Sequence, residues 1–277
     1  MRVVMVQVAS STEPAENRDR LRALAVPPAD LVVLPEAYAA DFGQPGSPVG
    51  HAAEPLDGPF VEALSARARE HGGTWVAGTF ERSDDPDRPY NTLVAVDGDG
   101  LLTSYRKVHL YDSFGNRESD RLLPGPRTPT SFRLGGEAGG TTVGLMTCYD
   151  LRFPELAREL SRAGAALLVV PSAWVAGPRK LHHWRTFVTA RAVENVAWVA
   201  AAGQSGPRYT GHSLLVDPRG DVVAAAAGTE DEVVTGDLDP DLLRQAREEN
   251  PSLRNRRDAE PWEPAVTAPS DPAERPG

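Results

Sequence analysis

Cys148 is the only cysteine in the chain, and it stands in Gly144-Leu145-Met146-Thr147-Cys148-Tyr149-Asp150-Leu151-Arg152-Phe153-Pro154-Glu155-Leu156. The apolar run over 143–146 has the length of a buried strand, and Pro154 suits a first helical turn, where its missing N–H leaves nothing unsatisfied. Phe153, Leu156, Leu160 and Ala163 recur at three- and four-residue spacing, which predicts a helix with that face inward. A thiol between a strand end and a helix start lies near free N–H groups and the positive end of a helix dipole. Both favour a thiolate and can supply donors to an oxyanion. The geometry suits acyl transfer; the competing reading is a buried, inert small hydrophobe.

A cysteine hydrolase also needs a base for the thiol proton, donors for the oxyanion, and an acid for the leaving amine. Glu36 leaves the apolar run Leu31-Val32-Val33-Leu34 through Pro35, and a carboxyl group at such a strand end is suited to proton shuttling. Lys107 directly follows a strand and offers a fixed positive charge. Taken singly, each has a plainer reading, a surface carboxylate and a solvated lysine. A Cys-His pair with His109, His183 or His212 stays open. The chain has no G-x-S-x-G elbow, Gly-rich phosphate loop, H-E-x-x-H or paired C-x-x-C. His182-His183 are adjacent on a helix and do not face one site, so neither a metal nor another cofactor is expected.

These groups have to be carried by strands that end at them. The pattern predicts strands over 3–8, 31–34, 74–80, 90–96, 101–105, 143–146, 166–170, 196–202, 212–217 and 221–226. Asp97-Gly98-Asp99-Gly100 and Pro218-Arg219-Gly220 mark hairpins. Helices are predicted over 14–25, from Gly58-Pro59 to the Gly72-Gly73 stop, over 181–195, and from the cap Asp239-Pro240 through 249. The stretch 109–129 reads as a functional loop, and 39–59, rich in Gly and Pro, as a pocket rim. One internal echo organises the rest: Ala29-Asp30-Leu31-Val32-Val33-Leu34-Pro35-Glu36-Ala37-Tyr38 parallels Ala165-Ala166-Leu167-Leu168-Val169-Val170-Pro171-Ser172-Ala173-Trp174. Each copy ends a strand-helix-strand unit. Two such halves predict an α/β architecture of two sheets packed face to face with helices outside.

With 277 residues and no Pro/Gly-rich linker between periodic segments, the chain reads as one large domain over 1–257. Residues 258–277, rich in Pro, Ala and Glu, read as an extended or disordered tail. One cysteine excludes an internal disulfide, Met1-Arg2 leads directly into a strand, and no stretch has the length of a membrane span, so a cytoplasmic protein is expected. The net charge of -10 disfavours nucleic acid and anionic membranes as partners.

Taken together, Pro35-Glu36, Tyr105-Arg106-Lys107-Val108-His109-Leu110-Tyr111-Asp112 and Cys148-Tyr149-Asp150-Leu151-Arg152-Phe153-Pro154-Glu155-Leu156 resemble, in order, the Glu, Lys and Cys motifs of the carbon-nitrogen hydrolase (nitrilase) superfamily. The resemblance implies a four-layer alpha-beta-beta-alpha sandwich, a homodimer or higher homo-oligomer, and a small-molecule amide as substrate. It assigns Glu36 as general base, Cys148 as the residue forming a thioester, and Lys107 with the Tyr149 N–H as oxyanion donors. Glu118 in Asn116-Arg117-Glu118-Ser119-Asp120 matches a further catalytic-site Glu of many members; its plainer reading is a solvated loop carboxylate.

Within the superfamily the cysteine motif is most similar to the omega-amidase and deaminated-glutathione amidase group. Gly177-Pro178, His183-Trp184, Arg191-Ala192-Val193-Glu194-Asn195 and Gly211-His212-Ser213 agree with it. True nitrilases usually carry Trp and Glu after the cysteine, where this chain has Tyr149 and Asp150. Thr147 and Trp174 depart from the group's usual residues and bear on the acyl group accepted. Arg152 is suited either to a substrate carboxylate or to a structural ion pair. Trp174 and Tyr38, ending the two echoed strands, are candidate pocket walls, with core packing as the alternative. Glu194 is expected to brace the site, and 250–257 to run across a dimer interface. The expected activity is hydrolysis of a small linear, carboxylate-bearing amide to acid and ammonia. An N-carbamoyl amide hydrolase and a non-catalytic binding or scaffold member are the alternatives.

Overall fold

β1 (Arg2–Gln7) is buried at five of its six positions, and its side chains divide between two layers. Val3 and Met5 point into a core shared by two sheets, whereas Val4 and Val6 join Leu21 of α1 (Pro14–Ala23) with Phe60 and Leu64 of α2 (Pro59–His71). A strand covered on both faces must be apolar at successive positions, which is why it reads as an unbroken hydrophobic run. The computed structural model describes residues 1–135 and 140–257. The tail expected over 258–277 lies outside the described residues.

β1, β2 (Leu31–Val33) and β3 (Thr74–Glu81) are parallel neighbours, joined through α1 and α2, and β4 (Tyr90–Asp97) and β5 (Gly100–Arg106) continue the sheet antiparallel. The second sheet repeats the plan. β7 (Thr141–Leu145), β8 (Leu167–Ser172) and β9 (Trp198–Gly203) run parallel through α3 (Pro154–Arg162) and α4 (Lys180–Asn195), and β10 (Leu214–Val216) and β11 (Val222–Ala225) follow antiparallel. On the far side of β1 and β7 lie the antiparallel strands β12 (Glu232–Asp237) and β6 (Ser131–Leu134). The sheet orders are therefore β12-β1-β2-β3-β4-β5 and β6-β7-β8-β9-β10-β11, and the echoed segments occupy equivalent places on β2 and β8. This is the alpha-beta-beta-alpha sandwich that the two halves predict.

Two sequence readings change. β6 and β12 are additional strands; each turns only two residues to the core, Phe132 and Leu134 in one, Val234 and Gly236 in the other, too few for a periodic signal. The inward face of α3 carries Leu156, Ala157, Leu160 and Ser161, while Ala163 is exposed and Phe153 falls out of phase. The cause is a separate 3-10 turn, Cys148–Arg152, between β7 and α3. By contrast, α5 (Pro240–Glu249) begins as predicted, with the Asp239 side chain accepting from Asp241 N–H at 2.9 Å. Its Arg247 guanidinium donates to the carbonyls of Val196 and Ala165, fastening α5 beneath the second sheet. Among the described residues no helix is long and apolar enough to cross a membrane.

Candidate active site

Glu36 is reached by a chain that overruns β2. Leu34 N–H still bonds to Val76, Gly78 N–H to Pro35 and Ala39 N–H to Gly78, so the segment stays laced to β3 while Ala37, at φ +54°, turns it. The Glu36 backbone lies directly on Gly78: a Cβ there would stand 2.7 Å from Glu36 Cα and 2.4 Å from Ala37 N. The carboxylate is 1 % exposed and held from both sheets. Oε1 accepts from Lys107 Nζ at 2.9 Å and Asn91 Nδ2 at 2.8 Å, and Oε2 from Ala173 N–H at 2.7 Å.

Lys107 is the residue after β5. Its N–H donates to Asn91 and its carbonyl accepts from Gly125, which packs so tightly on Arg106 that a Cβ would meet the Arg106 carbonyl oxygen at 2.2 Å. Nζ bonds to Glu36 Oε1 and also to Glu118 Oε2 at 2.9 Å and Oε1 at 3.1 Å. Burial alone would lower the lysine's pKa, but the Glu118 and Glu36 carboxylates outweigh it and hold the ammonium well above the ordinary lysine range. Glu118 is thus no solvated loop carboxylate. It is buried at the start of a 3-10 turn, Glu118–Asp120, and also accepts from the Tyr111 N–H.

Cys148 opens its turn at φ +45°, in the left-handed region that side chains rarely adopt. Asp150 fixes that turn. It is fully buried and accepts from Thr147 N–H at 2.9 Å, Tyr105 Oη at 2.7 Å and His109 N–H at 3.2 Å, with His109 Nδ1 at 2.7 Å. From the other side Arg191 donates to the Leu151 carbonyl and pairs with Glu194 at 2.8 Å, so Glu194 braces the turn through Arg191. The thiol is 8 % exposed, and its surroundings work against the pre-formed thiolate that the helix-start argument predicts. Burial pushes its pKa well above the ordinary range and the Glu36 carboxylate adds to this, against a lowering by Lys107. The open Cys-His pairing closes as well, since His109 engages Asp150, His183 lies against Arg152 and His212 against Arg185.

A small cavity in front of Cys148 is lined by Tyr111, Tyr149, Arg152, Trp174, Val175 and Lys180. Tyr149, Arg152 and Trp174 are therefore at the pocket. Tyr38 is not: its ring packs 6.2 Å from Phe60 in the α2 layer, because the left-handed Ala37 turns the chain where the β8 copy runs on. Among the described residues no carboxylate pairs with Arg152, whose guanidinium lies over the rings of Phe187, Trp174, Phe114 and Tyr149 at 4.9–5.9 Å.

Sequence reasoning passed over Asn91 and Lys180, and it named Tyr111 and Asp150 only within their motifs, without a role at the site. Two of them leave a signal: Asn91 interrupts a buried strand, and Lys180 stands at a helix N-terminus, where a cation opposes the dipole.

The carbon-nitrogen hydrolase family matches residues 2–248 of the chain. The deaminated glutathione amidase of Escherichia coli O157:H7 is 39% identical over 231 residues, covering 83% of this chain and 86% of that one. The omega-amidase NIT2 of Xenopus tropicalis is 35% identical over 273 residues, covering 92% and 95%. The crystal structure of Saccharomyces cerevisiae Nit3, a member of branch 10 of the nitrilase superfamily, superposes with a TM-score of 0.77 at 31% identity, over 93% of this chain and 96% of that one.

Proposed function

The chain belongs to the carbon-nitrogen hydrolase family, and from that premise we propose that it is an amidase cleaving a small linear amide to an acid and ammonia through a thioester on Cys148. The observation that carries the reading is the buried Lys107 ammonium clasped by Glu36 and Glu118, electrostatically coupled to a thiol held neutral by its surroundings. Relatives named omega-amidase and deaminated glutathione amidase support the amide as substrate class.

A neutral thiol requires its base at the moment of attack. Glu36 takes the Sγ proton as the sulfur adds to the amide carbonyl, and the oxygen of the tetrahedral adduct is met by Lys107 Nζ and the Tyr149 N–H. Glu36 returns the proton to the amine nitrogen as the C–N bond breaks, releasing ammonia and leaving the thioester. Water then attacks the thioester, Glu36 accepts its proton, the C–S bond breaks, and the proton passes to sulfur. Glu118 keeps Lys107 charged and aimed throughout.

The working form is a cytoplasmic homodimer. The apolar residues Val193, Val222 and Val223 support the dimer: they are exposed at the end of α4 and on the edge strand β11. Light scattering at working concentration should return the dimer mass. The activity is tested by ammonia release from succinamate, 2-oxoglutaramate, deaminated glutathione, simple aliphatic amides and N-carbamoyl amino acids, with wild type and Cys148→Ala in parallel. Release that depends on Cys148 is expected from the amides. Carbon dioxide released together with ammonia would indicate a carbamoylase instead, and no release by folded protein would indicate a binding role.

A further inference from the structure

Lys180 has no role in the chemistry above, yet its side chain lines the cavity at Cys148 and the residue is only 8 % exposed. Its place is built. Trp174 Nε1 donates to the Lys180 carbonyl at 3.0 Å, Nζ donates to Tyr111 Oη at 2.7 Å, and the ammonium lies 3.9 Å from the centroid of Phe114. Tyr111 in turn donates its N–H to Glu118, so the loop that clasps Lys107 also positions Lys180.

Charge and hydrogen-bond inventory both ask for an anion here. An ammonium carries three donors and a guanidinium five. Among the described residues Lys180 Nζ has Tyr111 Oη as its acceptor, Arg152 Nη2 lies 3.4 Å from His183 Nδ1 while its Nε is buried without an acceptor, and neither cation has a carboxylate partner. Burial and the neighbouring Arg152 both lower the Lys180 pKa, as expected for two cations sharing a small cavity without a counter-ion. The aromatic rings around them present π-faces, which accept cations but give no hydrogen-bond geometry for a fork. A carboxylate, with four acceptor sites and one negative charge, matches what the two side chains offer.

Resting on the amidase reading, we infer that Lys180 is a specificity-determining residue: its ammonium, with the Arg152 guanidinium, takes the carboxylate at the end of the acyl chain remote from the scissile amide. The small cavity limits that chain to a few carbons.

The test compares succinamate with butyramide, equal in length and differing in the terminal carboxylate. Wild type should prefer succinamate, Lys180→Met should lower the succinamate-to-butyramide ratio of kcat/KM at least tenfold, mainly through KM, and Lys180→Arg should restore most of it. An unchanged ratio in Lys180→Met, or an equal loss for both amides, overturns the assignment. A second measurement needs neither turnover nor a Lys180 variant: binding of succinate and butyrate to Cys148→Ala, read by tryptophan fluorescence. Succinate should bind at least tenfold more tightly. Equal binding overturns the assignment whichever amides are cleaved, whereas tight succinate binding without turnover of any amide would sink the amidase reading and leave the carboxylate site standing.

Discussion

The Tyr105 hydroxyl donates to the Asp150 carboxylate at 2.7 Å, joining the first sheet to the turn at the end of β7. Tyr105 lies two residues before Lys107 and Asp150 two residues after Cys148, so this bond couples the placement of the ammonium to that of the thiol. Removing it should be felt at both. Tyr105→Phe should cost about 1.5–3 kcal/mol of stability, the range for a hydrogen bond to a charged group. Asp150→Asn, which sets an amide against the Thr147 N–H, should lower kcat at least tenfold with a smaller change in KM. Urea unfolding and steady-state kinetics check the two; full activity in Asp150→Asn would show that the turn holds without it.

Glu118 and Glu36 divide one ammonium between them. Glu118→Gln keeps the shape and removes a charge, and should reduce kcat on the order of tenfold to a hundredfold while costing about 1–3 kcal/mol in stability. A loss of stability with kcat intact would make Glu118 a purely structural residue.

Gly78 is set by contact with the Glu36 backbone. Gly78→Ala should push that backbone away, costing about 1–3 kcal/mol for overpacking, and a displacement near 1 Å at the base should reduce kcat on the order of 100-fold. Thermal unfolding and turnover of the same preparation separate the two effects.

The raised pKa values of Cys148 and Lys107 fix the sign of a pH dependence. In both cases the folded state holds its proton more tightly than the unfolded chain. The stabilisation is complete below the unfolded pKa, about 8.5 for cysteine and about 10.4 for lysine, and is lost as pH rises toward the folded values. Between pH 8 and 9.5 the urea midpoint of wild type should fall, and Cys148→Ala should flatten that part of the curve. A midpoint that rose over this interval would contradict the thiol's assigned state.

Much of the frame is legible along the chain. Glu36, Lys107 and Cys148 each end a strand, and strand ends are written locally in apolar runs and the residues that stop them. The echo between β2 and β8 gave the two-sheet plan for the same reason, since a buried parallel strand needs little beyond its own composition to be recognised. β6 and β12 escaped because two inward residues make no period.

The sequence by itself determined which groups are available for chemistry and their order. Tertiary structure decided their state and their company. Whether Cys148 rests as thiol or thiolate depends on burial and on Glu36, more than 100 residues distant in the chain, and no local spacing encodes that. Tyr38 and Trp174 occupy matching places in the echo, yet one backbone turn at Ala37 sends the first into the helix layer and leaves the second at the pocket. Asn91, Asp150 and Lys180 acquire their roles only when two sheets and a loop meet. Hydrogen bonds and charges act through space at about 3 Å, while the sequence records only separation along the chain.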